Sequence, residues 1–100
     1  MATLFLDKLT CHQQRSITFD RPYIKESGAI VFGKEKMVSG DETPVNHSSQ
    51  HNDPVLIELW DHNEIGSDVQ IGPTRSVKPG DSGELEFTEG ASYSLTYTFF

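Results

Sequence analysis

The 100-residue sequence predicts an all-β fold: a single antiparallel β-sandwich of about eight strands, occupying residues 1–100 as one domain. Three observations lead there. Apolar residues recur with period two, and nowhere at i, i+3, i+4 over a long window. Gly or Pro interrupts every stretch that a helix would need. Turn chemistry, in "SGDE", "KPGDSGE" and "TEGA", punctuates the chain at short intervals.

The first strand is "ATLFLDKLTC", with Leu4 and Leu6 inward and then Leu9 and Cys11. The phase slips at Asp7-Lys8, as a β-bulge would make it do. "PYIK" and "AIVFG" are two short strands around the turn signal "ESG". The stretch from Ser39 to Pro54, "SGDETPVNHSSQHNDP", is the longest polar segment and reads as a surface loop. "PVLIELWD" starts apolar on both faces, which predicts a central strand, and Trp60 is expected to pack in the core at its end. "ELEF" adds a strand with Leu85 and Phe87 in register. "ASYSLTYTFF" alternates most cleanly, with Tyr93, Leu95, Tyr97 and Phe99 on one face and Ser92, Ser94, Thr96 and Thr98 on the other.

Composition bounds the function. Hydrophobic residues make up 35%, aromatics 10% and charged residues 23%, a balance that suits a packed domain and argues against long disorder. The formal net charge is −7, from 15 acidic and 8 basic side chains. Such a field repels nucleic acid and a bare anionic membrane, and it suits divalent cations or basic proteins. No basic segment followed by an apolar one opens the chain, and nothing approaches the roughly 18 continuous apolar residues of a membrane span. The single cysteine, Cys11, excludes an internal disulfide and fits a reducing compartment. A cytoplasmic location is therefore expected, with leaderless export as the alternative.

The stretch "VLIELWDHNEIGSDVQIG" changes character after Trp60: a polar-dominated run carries Asp61, Asn63, Glu64 and Asp68 before Ile71 and Gly72 return to burial. A strand ending in "LWD", a polar loop, and a pair such as "IG" resemble the second calcium-loop region of C2 domains. "DRPYIK" resembles the family segment in which an Asp closes the first calcium loop. Lys8-Leu9-Thr10-Cys11, Asp20 to Ile24, Glu58 to Asp61 and "YSLTY" at Tyr93 to Tyr97 resemble, in order, the pattern of short bacterial C2-like proteins of about this length. The resemblance spans nearly the whole chain and implies a C2-like sandwich. It also implies a non-catalytic module that binds calcium at one end and meets a protein or a calcium-dependent lipid partner.

Carried over residue by residue, the resemblance implies calcium ligands at Asp20, Asp61, Asn63 and Asp68. Calcium takes about six to eight oxygen ligands in irregular geometry, so backbone carbonyls and water would complete one site. The departures weaken it. No carboxylate lies between Cys11 and Asp20, where "HQQRSITF" supplies Arg15 instead; Asn63 replaces an Asp; and Asp68 falls one place early, the family's Asp aligning with Val69. A single ion held with a dissociation constant of roughly 10⁻⁴ to 10⁻³ M is the expectation. The alternative is a metal-independent interaction module that uses sheet edges or the 39–54 loop.

Other chemistries fit poorly. His47 and His51 in "HSSQHND" imitate a zinc spacing, but zinc needs four ligands on rigid elements, so a solvated polar loop is preferred. Cys11 in a strand reads as a small buried hydrophobe. No phosphate-binding Gly-rich loop, H-E-x-x-H or nucleophile elbow is present, so no enzyme is expected.

Overall fold

A computed structural model describes residues 2–100. The strands are β1 (Ala2–Gln13), β2 (Pro22–Glu26), β3 (Ala29–Gly33), β4 (Glu42–His51), β5 (Val55–Asp61), β6 (Val69–Gln70), β7 (Arg75–Val77), β8 (Ser82–Thr88) and β9 (Ser92–Phe99). They form two antiparallel sheets, one ordered β4-β1-β9-β8 and the other β3-β2-β5-β6, with β7 also paired to β5. Among the described residues no helix is long and apolar enough to cross a membrane.

Alternation decides what is buried. Leu4, Leu6, Leu9 and Cys11 of β1 are fully buried, and the phase change between Leu6 and Leu9 falls on an irregularity in the ladders to both neighbours. Tyr93, Leu95, Tyr97 and Phe99 of β9 share one cluster with Ile24, Ile57 and Leu59 of the opposite sheet. Leu85 and Phe87 of β8 join them, as their register predicted. Strand β5 is central, paired on one side to β2 and on the other to β6 and β7. Ile71 is buried too, and Gly72 beside it has φ +72; a Cβ there would stand 3.0 Å from the backbone N of Thr88. The "IG" pair thus marks where the chain closes against β8.

Two expectations are corrected. The polar stretch from Ser39 to Pro54 is not a loop: ten of its residues form β4, antiparallel to β1. Its half-buried positions include Val45, His47, Ser49 and His51, so polar side chains fill a face that apolar residues usually mark. Trp60 is not in the core. It lies on the outer face of its sheet, stacked on Tyr23 at 6.3 Å between ring centroids, with the Lys25 ammonium 4.6 Å above it.

Candidate functional site

The loops after β1 and β5 meet at one end of the sandwich, and Arg15 joins them. Its Nε and Nη2 both stand 2.8 Å from Oδ2 of Asp61, and Nη2 also donates to Oδ1 of Asn63 at 3.1 Å. Asp61 is 1% exposed, placed at the rigid end of β5, and its Oδ1 accepts the backbone N–H of Arg21 at 2.8 Å. A carboxylate this dry is costly unless a charge and donors face it, and Arg15 supplies the charge.

Asp20 organises the first loop. It is fully buried; Oδ1 accepts the Ser16 N–H at 2.8 Å, and Oδ2 accepts the Arg15 N–H at 2.7 Å and the Tyr93 hydroxyl at 2.6 Å. Burial, then this bond to Asp20, holds the Tyr93 hydroxyl well above its ordinary range, so it remains a donor. The Asp20 backbone also exchanges both hydrogen bonds with Met37, each at 2.9 Å.

Asp68 closes the second loop. Its Oδ2 accepts the Tyr23 hydroxyl at 2.6 Å; its Oδ1 accepts the Asn63 N–H at 3.0 Å and lies 3.0 Å from Nδ1 of His62. The Tyr23 bond, followed by the Asn63 amide, holds the Asp68 carboxyl below the usual carboxylate range. Burial and the same bond push Tyr23 up to about 12.

The structure therefore brings Asp61 and Asn63 together around the Arg15 guanidinium, ties Asp20 to its own loop, and turns Asp68 toward Tyr23. As the side chains stand, they do not fit a calcium ion. Every carboxylate oxygen of Asp20, Asp61 and Asp68 already accepts a hydrogen bond, and a cationic group occupies the position between Asp61 and Asn63. Among the described residues no three His, Cys, Asp or Glu side chains converge as a metal site. Cys11 is fully buried, and burial raises its thiol, so it is not an activated nucleophile.

Beside this end lies a groove of about 640 Å³ lined by Phe19, Arg21, Tyr23, Lys34, Lys36 and Glu64, among others. The Arg21 guanidinium and the Lys36 ammonium sit 5.5 and 5.6 Å from the Phe19 ring centroid. Arg21 also forms an ion pair with Glu64, which is largely exposed. Arg21, Lys34 and Lys36, three of the molecule's eight basic side chains, line this groove. Ile17 and Ile65, in the two loops, are almost wholly exposed.

A second polar cluster seals the gap between β2 and β4. Glu26 is 6% exposed; its Oε1 accepts the Ser49 hydroxyl at 2.5 Å and lies 2.7 Å from Nε2 of His51. Its Oε2 has no hydrogen-bond partner among the described residues and is 3.8 Å from Nε2 of His47. Both histidines stand out in the sequence, yet the polar segment around them reads there as a loop. The spacing of His47, Ser49 and His51 by two was the available sign of one strand face.

No family model matches the chain, and no curated protein matches its sequence. A solved structure described as "Structure of a C2 domain" does match, with a TM-score of 0.60 at 17% identity, over 98% of this chain and 96% of that one. The fold is C2-like. At that identity the likeness shows the architecture alone, and the chemistry of the loop end rests on Arg15, Asp20, Asp61 and Asp68 as they stand in this chain.

Proposed function

We propose that this chain is a non-catalytic C2-like binding module that works without calcium, its loop end held together by Arg15. The observation that carries this reading is the Arg15 guanidinium on Asp61 and Asn63. It provides the positive charge that two loops rich in oxygen donors would otherwise require from an ion. A tethered cation gives up rotamer freedom but no translational freedom, and it cannot be chelated away, so the loop end keeps one conformation whatever the calcium level. The surface offered to a partner is then the neighbouring aromatic and basic groove, with Ile17 and Ile65 exposed in the loops beside it, and it suits an anionic group.

Calcium titration tests the proposal. At a concentration one hundred times a dissociation constant, a ligand stabilises a fold by about 2.7 kcal/mol, on the order of 10 °C for a small domain. Calcium at about 10–100 mM, one hundred times the constant the resemblance implies, is expected to leave both the melting temperature and the amide spectrum of residues 61–68 unchanged. A calcium-specific shift of that size, absent with magnesium, overturns the reading in favour of an ion held by Asp20, Asp61, Asn63 and Asp68.

A further inference from the structure

The four sheet edges are not treated alike. Edge strand β4 contains Pro44 and a positive-φ residue, Asn46 at 49°, both of which discourage pairing. Edge strand β8 presents Glu84 and Glu86, and the Arg75 guanidinium caps the Glu86 carbonyl at 2.6 Å. The β6 and β7 edge is broken into strands of two and three residues. Strand β3, "AIVFG", is guarded only by a register slip at Val31, where its pairing passes from Ile24–Phe32 to Lys25–Ile30. It carries no charge and no proline, pairs only with β2 among the described residues, and exposes Ile30 at 64%. An uncharged apolar edge is a template for another strand.

The residues that succeed β3 indicate the partner's chemistry. Gly33 ends the strand and lines the groove, and Lys34 and Lys36 come immediately after it, sharing that groove with Phe19 and Arg21. A segment laid antiparallel to β3, the sense of every pairing in this sheet, would have its N-terminal part beside Gly33 and the groove. Backbone groups on β3 would be met by a peptide, whereas a lipid headgroup has no ladder of amides to offer. Glu35 and Glu64 among the basic groups also favour discrete charge pairs over a continuous anionic surface.

We propose that β3 and the adjoining groove bind an extended protein segment, strand-like toward its C-terminal end and acidic at its N-terminal end. The segment adds a new edge strand beyond β3 while its carboxylates meet Lys34 and Lys36 and compete with Glu64 for Arg21. This rests on the reading that the module binds without calcium, and deepens it by naming the partner class.

The probe is a short synthetic peptide, acidic in its N-terminal half and alternating valine and threonine in its C-terminal half, titrated into the intact chain with a calcium chelator present. Amide signals of Ile30 to Gly33 and of Lys34 to Lys36 should shift together. Lys34→Glu with Lys36→Glu should weaken binding about tenfold or more, as charge reversal at discrete pairs does. N-methylating alternate amides of the strand half should weaken it similarly without touching the charge. Because the lysines are exposed, the double variant should keep the parent melting temperature.

Absence of binding with and without calcium overturns the inference and leaves the calcium-independent reading standing. Binding only with calcium present overturns that reading instead. Equal binding by the N-methylated peptide, or retention by phosphatidylserine vesicles in place of the peptide, removes the strand-addition argument.

Discussion

Arg15 and Asp61 form a pair in which the two partners are unequally wet: the guanidinium side chain is 26% exposed and the carboxylate 1%. Removing the cation leaves Asp61 dry with only the Arg21 amide and a long contact from the Ser16 hydroxyl at 3.4 Å. Arg15→Ala is therefore expected to cost about 3 kcal/mol, the lower end for breaking a buried pair because solvent reaches the arginine. Arg15→Lys should recover part of that, since a point charge cannot contact Asp61 and Asn63 through a rigid fork. Denaturant midpoints at constant m-value would measure both. A pH response belongs to this scale too. Asp68 is depressed below its ordinary value of 3.8, so its stabilising bond is complete above that value and is lost as pH falls through the lower folded value. Tyr23 is raised from 10.0 to about 12, so its share is complete below 10.0 and is lost as pH rises through about 12. Tyr23→Phe should flatten both limbs of the stability–pH profile; unchanged limbs would show that the Tyr23–Asp68 bond has no thermodynamic weight. Asp61 and Asp68 were legible as functional-looking residues because they stand in a short motif. The role of Arg15 was not, since its partners lie 46 and 48 positions away and only the fold brings them together.

At the scale of elements, strands with one apolar face could be read, and those with polar inner faces could not. In β9 every second residue from Tyr93 to Phe99 is buried, and Leu95 pairs with both Leu9 and Leu85 at the centre of its sheet. Leu95→Ala is expected to cost about 2–5 kcal/mol, as large-to-small changes in a packed core do; a variant as stable as the parent would contradict the packing described. Strand β4 escaped the sequence because Glu26 reaches it from the other sheet. Bonds from Ser49 and His51 to that carboxylate let polar residues occupy an inner face without being orphaned. Trp60 misled for a related reason. A large ring at the end of an apolar strand is usually buried, yet here Tyr23 and Lys25 give it partners on the outer face.

For the whole molecule, a net charge of −7 describes the far field and not the groove. Beyond a Debye length, about 8–10 Å at ordinary ionic strength, an approaching body meets the sum of all charges. Within it, Arg21, Lys34 and Lys36 dominate what a small anion meets. A planar anionic membrane samples the far field over a large area and so faces repulsion before the groove can engage. A flexible acidic segment places its few charges inside the local field and leaves the rest of the surface in water. Without calcium, vesicles rich in acidic lipid should therefore fail to retain the protein in co-sedimentation even at low salt, where electrostatic effects are largest. Retention there, abolished by Lys34→Glu with Lys36→Glu, would show that the local field overcomes the net charge and would make a membrane, not a protein segment, the partner of this face.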